Sequence, residues 1–336
     1  MTENTGTLFT AFLNQHDEPA WDRAVTSLLH SMHEVDITAT RIWFSFFPLS
    51  LSRALSTADE PEKLAARLLL QGRYLLKDQI DSSHAFLYGH RYWPAVKRAV
   101  EHHALSSAAP SSLDLAAQIR EVAGLVSTEL KVNISLAVGI TAVGFMTLQQ
   151  VGLSAFQAAP GKIDKAKRAR SPERVVISRA RDDSQGPLGF LRGDRKIWTV
   201  TFDEDEQESR FKLIDTQHLT TAAANDKRDY HSRDPRCVVR EGPIPVQCRN
   251  AACGTCWVGV LGGADKLSLV ATLESRKMKE FGYIDTDERN PIIRLACQAQ
   301  GHGAVSIVIP PWNGVFGRYL GASKTDSAET NSNAKA

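Results

Sequence analysis

One run of ten residues, CRNAACGTCW beginning at Cys248, restricts this chain more than any other. It sets Cys248, Cys253 and Cys256 in a C-x4-C-x2-C spacing, and Cys297 follows after forty further residues. The only other cysteine is Cys237. The count is odd and the 336-residue chain is long, which argues against a disulfide framework. A metal or cluster site in a reducing, cytoplasmic compartment is expected instead. Thiolates are soft ligands that suit zinc, copper(I) and iron–sulfur clusters. Structural zinc sites usually join two close pairs, whereas this spacing is three plus one.

The plant-type [2Fe–2S] signature is C-x4-C-x2-C with a distant fourth cysteine. In that reading one iron takes Cys248 and Cys253, and the other takes Cys256 and Cys297. The small residues between the thiols then have a role. Sulfide-bearing clusters are negatively charged and need backbone N–H groups at close range, and bulky side chains over 249–252 or 254–255 hold the main chain away. Gly254 also permits the unusual backbone angles of a tightly wrapped loop.

The stretches IPVQCRNAACGTCWVGVL and IIRLACQAQGHGAVSIVIP resemble the cluster loop and final strand of plant-type and bacterial [2Fe–2S] ferredoxins. The resemblance spans about residues 196–311. It implies a β-grasp fold, one-electron transfer, and Cys248, Cys253, Cys256 and Cys297 as the four cluster ligands. Arg249 matches a basic residue often found after the first ligand. Two features depart from the family. About fifteen extra residues, RDYHSRDPRCVVREG, precede the loop. Residues 196–320 hold sixteen basic and sixteen acidic side chains, where the family's soluble members are often strongly acidic. Cys237 lies in the extra segment and reads as a bystander thiol.

The rest of the chain reads as two further kinds of sequence. Residues 1–160 show helical periodicity with capped starts at Asp17-Glu18-Pro19, Asp36, Asp59-Glu60-Pro61 and before the SSLDLAAQIREVAGLVSTELK run. The expectation is an all-α helical bundle, with breaks at Pro48 and at Trp93-Pro94. No charge occurs between Asn133 and Pro160. That segment predicts either the central helix of the bundle or, less in keeping with its polar and glycine content, a membrane or complex contact. Residues 161–195 carry ten Lys/Arg against five Asp/Glu, and they read as a basic linker.

Strand alternation begins at 196, where KIWTVTFDED and RFKLIDTQ flank an acidic turn at Asp203–Glu208. A short helix at HLTTAAANDK and strands at WVGVLGG and AVSIVIPP complete an α+β domain over 196–320. Residues 321–336 are low in complexity and read as a disordered tail.

Other classes find little support. The N-terminal stretch has no basic segment leading into an apolar core, so a secretory signal is not expected. The formal net charge of +2 argues against nucleic acid as a main partner. No Rossmann, P-loop or nucleophile-elbow motif occurs, so electrons are expected from a separate reductase and to pass to a separate acceptor. Seven of ten histidines lie before residue 104, among them His30, His33, His84 and His90. None has the companions of a strong metal motif, and core or surface roles are expected for them. Trp257, next to Cys256, reads equally as core packing or as a shield for the cluster. The main expectation is an electron carrier. Its alternatives are an electron-transfer subunit whose helical domain holds a second cofactor or substrate, and a ferredoxin anchored to a membrane or complex.

Overall fold

The computed structural model describes residues 5–67, 71–72, 75–106, 114–163, 170–181, 196–281 and 289–313. The expected tail at 321–336 lies outside them. The chain starts with α1 (Thr5–Asn14) and α2 (Glu18–Leu28). Asp17 caps α2 as predicted: its carboxylate accepts from the Ala20 N–H at 2.9 Å, and Pro19 sits in the first turn, where no N–H is missed. α3 (Glu34–Phe46) differs from expectation. Its cap is His33, which accepts from the Val35 N–H at 3.2 Å. Asp36 lies inside the helix, 1% exposed, and takes the Tyr88 and Gly89 N–H groups at 2.6 and 2.7 Å. A buried carboxylate with two charge-assisted partners from another segment outweighs a local cap.

Pro48 separates α3 from α4 (Leu49–Thr57), as expected. α5 (Pro61–Arg67) begins where predicted, but the helical pattern does not run on to Ile80. Gln71–Gly72 form a short strand, β1, and Leu76–Gln79 a 3₁₀ turn. Pairing with a remote strand overrides local propensity here. α6 (Trp93–Leu105), α7 (Leu115–Leu130, capped by Asp114) and α8 (Ser135–Ala158) follow.

α8 packs against α1, α3, α6 and α7, and every residue from Leu136 to Leu148 is buried. A helix enclosed on all sides is apolar all round, which explains the missing charges. Among the described residues it alone is long and apolar enough to cross a membrane, and 72% of its most apolar window is buried inside the protein. Gly139 lets α3 close on it: a Cβ there would lie 2.5 Å from the Thr40 hydroxyl. The helix is interrupted at Gly152, whose φ of 78° is left-handed.

The stretch expected as a linker contains α9 (Pro172–Ala180). Its first turn packs Val175 with Val35, Tyr88 and Leu136. Contacts divide the chain into two compact units, one drawn from residues 1–57 and 75–176, the other from 58–74 and 177–336. α5 and β1 therefore group with the second unit, although they lie in the stretch read as the helical domain.

The second unit contains β2 (Ile197–Thr201), β3 (Arg210–Ile214), α10 (Leu219–Ala223), β4 (Trp257–Gly262), α11 (Thr272–Phe281), β5 (Ile293–Leu295), β6 (Val305–Val308) and β7 (Trp312–Asn313). β1 pairs with β7. The main sheet is mixed, in the order β3-β2-β6-β4-β5. β2 runs antiparallel to β3 and parallel to β6, while β4 is antiparallel to both β6 and β5. Alternation in β2 follows the sequence: Trp198 and Val200 are buried, and Ile197, Thr199 and Thr201 are half-buried. A helical N-terminal region and a mixed C-terminal sheet make this a multidomain chain.

Candidate metal centre

The loop that carries three of the cysteines leaves a buried stem at Ile244 and Val246 and ends at β4. Between these points Arg249, Ala251 and Gly254 have left-handed φ values of 55°, 63° and 68°. For the two non-glycine residues that conformation costs about 1–2 kcal/mol each. Repeated excursions of this kind turn successive N–H groups toward one side and create an anion-binding concavity. Its direction is visible in two hydrogen bonds: the Ala252 and Cys253 N–H groups donate to Cys248 Sγ at 3.2 and 3.3 Å. Ala251 is buried within the loop.

Cys297 reaches the loop through the sheet. β4 and β5 pair Trp257 with Leu295, so the residue before β4 and the chain just after β5 meet. The Ala296 N–H donates to the Cys256 carbonyl at 3.0 Å and completes the join. Cys256 and Cys297 are 2% and 4% exposed, while Cys248 and Cys253 are half-buried nearer the surface.

The thiols are near enough to shift one another's ionisation. Cys256 donates to Cys297; this hydrogen bond, together with burial, pushes the Cys256 thiol well up. The same bond lowers Cys297 to about 6, aided by Gln298, whose side chain lies 3.5 Å from its sulfur. Burial opposes ionisation of Cys253, but hydrogen bonds with Thr255 and Cys248 outweigh it and lower its thiol. Thr255 Oγ1 lies 3.1 Å from the Cys253 sulfur. Among the described residues no three His, Cys, Asp or Glu side chains gather at a single ion-sized point. A two-iron centre asks for two thiolates at each iron, with sulfide bridging between them, and for N–H groups facing the sulfur. The residues present fit that group.

The surroundings include a feature that sequence reasoning missed. Arg294, three residues before Cys297, is 1% exposed and forms a bidentate ion pair with the fully buried Glu274 of α11, both contacts at 2.9 Å. Glu274 also accepts from the Leu295 N–H at 3.0 Å, and Arg294 donates to the Ser268 carbonyl at 2.9 Å. The pair clamps α11 to β5 beside Cys297. Its one sequence signal is a lone arginine inside the apolar run PIIRLAC.

The remaining candidates are placed as follows. Cys237 is 2% exposed and its sulfur lies 3.4 Å from the Pro243 carbonyl, apart from the four-thiol group. Burial pushes its thiol up to about 12. His84 and His90 sit in the helical unit with their Nδ1 atoms 2.8 Å apart, and the His84 ring lies against Trp93 at a 52° tilt. His33 serves as a cap. The acidic run at Asp203–Glu208 forms the β2–β3 turn, and Glu204 turns inward to Arg179 at 2.8 Å and Ser306 at 2.7 Å. Trp257 is fully buried in β4.

A mixed sheet that presents two thiol pairs under inward-facing amides defines an iron–sulfur electron-transfer domain. Comparison with known families agrees: residues 238–300 match the 2Fe-2S iron-sulfur cluster binding domain, and the cofactor is a [2Fe–2S] cluster. No curated protein and no solved structure matches the chain.

Proposed function

We propose that this protein is a one-electron carrier in which Cys248 and Cys253 hold one iron and Cys256 and Cys297 the other. The cluster, when bound, accepts and releases a single electron. The observation that carries the assignment is the β4–β5 join, which brings Cys297 to Cys256 across a forty-residue gap, beside a loop whose Ala252 and Cys253 N–H groups already donate to sulfur. The protein's part is to hold the thiolates, to supply N–H groups that favour the added negative charge, and to keep one pair near the surface for an incoming partner. A β-grasp frame for this domain is supported by its strand order. The first strand β2 lies parallel to the late strand β6, and β3 and β4 flank them. For the N-terminal region a helical bundle is supported by the four helices around α8. Electrons arrive from a separate reductase and leave to a separate acceptor.

The test is composition. Purified protein is expected to hold two irons and two acid-labile sulfides per chain. Stoichiometric zinc without labile sulfide overturns the proposal.

A further inference from the structure

The segment that precedes the cluster loop contains a turn that folding alone does not explain. Val238, Val239, Arg240 and Glu241 form a β-turn closed by the Glu241 N–H donating to the Val238 carbonyl at 3.0 Å. Its third residue, Arg240, has φ 63°, where glycine or asparagine is the ordinary choice. The two valines point into solvent, 44% and 61% exposed. Strain and apolar exposure thus fall on the same few residues, a combination typical of contact sites.

The turn is also held rigidly. Its base is fixed by the Cys237 N–H to the Asp234 carbonyl at 2.9 Å, by His231 to the Cys237 carbonyl at 2.7 Å, and by Arg236 to the Pro310 carbonyl at 2.9 Å. Lys227 donates to the Arg240 carbonyl at 3.1 Å and holds the strained residue from behind. Gly242 lets the exit strand lie against α10, where a Cβ would fall 2.0 Å from the Ala223 carbonyl. Glu241 then forms an ion pair with Arg249, the residue that follows Cys248. That pair fixes the turn to the rim of the thiol loop.

Charge around the turn has one dominant sign. Residues 226–249 hold six Lys/Arg and four Asp/Glu. Asp226, Asp234 and Glu241 are engaged with Arg228, Arg236 and Arg249. Arg240 stands exposed beside the valines, and the exposed Lys227 lies against its carbonyl, whereas Arg233 shares a cleft with Glu206, Glu208 and Asp229.

We propose that the Val238–Arg240 turn is the docking epitope for an acidic electron-transfer protein whose contact surface has an apolar centre and a carboxylate rim. The inference rests on the electron-carrier reading above. The valines fill the partner's apolar centre, Arg240 and Lys227 meet its rim, and the Glu241–Arg249 pair registers the partner over the half-buried Cys248–Cys253 side. The transfer moves one electron from the reduced cluster to the partner's oxidised centre. With a flavin acceptor, the flavin is reduced by one electron and takes its proton from water.

The test uses the full-length cluster-loaded protein, reduced with dithionite, and follows electron transfer by stopped-flow absorbance. Oxidised flavodoxin is the acidic probe, cytochrome c the basic probe and a neutral quinone the small-molecule control. The rate to flavodoxin is expected to fall steeply with added salt. Arg240→Asn, which relieves the backbone strain while removing the charge, is expected to lower that rate about tenfold at low salt, and Arg240→Lys to restore it. The double change Val238→Ser and Val239→Ser is expected to lower the rate at every salt concentration.

The rates to the quinone and the visible spectrum stay unchanged in all variants. A flavodoxin rate indifferent to salt and to these substitutions overturns the docking proposal, as does a faster, Arg240-independent reaction with cytochrome c. Absence of a reducible cluster in the parent protein overturns the carrier reading instead.

Discussion

Glu274 and Arg294 face each other at 2.9 Å in a pocket that excludes water, one on a helix and the other on the strand that delivers Cys297. Two opposite charges so placed gain little over an apolar pair, yet removal of either leaves the other stranded. Glu274→Gln is expected to destabilise the C-terminal unit by about 3–5 kcal/mol. In urea unfolding of the loaded protein, loss of the visible cluster bands should occur at lower denaturant in the variant. An unchanged midpoint contradicts the clamp.

Replacement of single cysteines separates the four-thiol group from the fifth. Cys253→Ser or Cys297→Ser is expected to abolish or badly perturb the visible absorption, and Cys237→Ser to leave iron and sulfide content unchanged. Loss of cluster on changing Cys237 alone shows the ligand set to be wrong.

The Cys237 thiol has its own pH signature. Burial pushes it up to about 12, above the ordinary value of 9.0 that it regains on unfolding. A group raised in the folded state stabilises the fold fully below the unfolded pKa and loses that contribution as pH rises through the folded one. Unfolding free energy is therefore expected to decline between about pH 9 and 12, with a slope of up to about 1.4 kcal/mol per pH unit from this group. Denaturant titrations across that range should show a shallower decline in Cys237→Ala than in the parent. Equal slopes refute the assignment.

The reduction potential is expected at or somewhat above the plant-type value of about −400 mV, because a domain of near-neutral charge penalises the added electron less than an acidic one does. Residues 196–320 balance sixteen basic against sixteen acidic groups. A spectroscopic titration giving a value above zero contradicts this.

In the helical unit, Asp36→Ala removes the acceptor for two buried N–H groups at once. The expected loss is about 2–3 kcal/mol, read as a lower thermal midpoint by circular dichroism at 222 nm. No change there means that Tyr88 and Gly89 find other partners.

What was legible in the sequence followed from local chemistry. Asp17 and Asp114 cap helices because an acceptor stands two or three residues before an N–H that needs one. The cysteine spacing and the alternation through Trp198 and Val200 were equally local. The misreadings involve partners far along the chain. Asp36 has the look of a cap, but its oxygens belong to residues fifty-two and fifty-three positions away. The helical reading that starts at Asp59-Glu60-Pro61 yields at Gln71–Gly72 to a strand about 240 positions downstream, Gln71 facing Asn313 and Gly72 facing Trp312. The Glu274–Arg294 pair left only the lone arginine of PIIRLAC as a sign, for the same reason: neither charge announces the other. The helical segment Pro172–Ala180 lay inside a stretch whose charge and glycine content read as a linker. A fragment cut at Pro160 would lack both the Arg170 carbonyl that Tyr88 uses and the Val175 side chain.

The β4–β5 join has a consequence for the life of the protein in a cell. β5 is three residues long and, among the described residues, pairs with the sheet through β4 alone, held besides by the burial of Ile293 and Leu295 and by the Glu274–Arg294 clamp. An iron shared by Cys256 and Cys297, as proposed above, would act as a stitch along that margin of the sheet. A chain that has not yet received iron, or has lost it to oxidation, would then lack that stitch and is expected to be cleaved faster by proteases. Its turnover rate then becomes a gauge of how well the surrounding machinery assembles clusters.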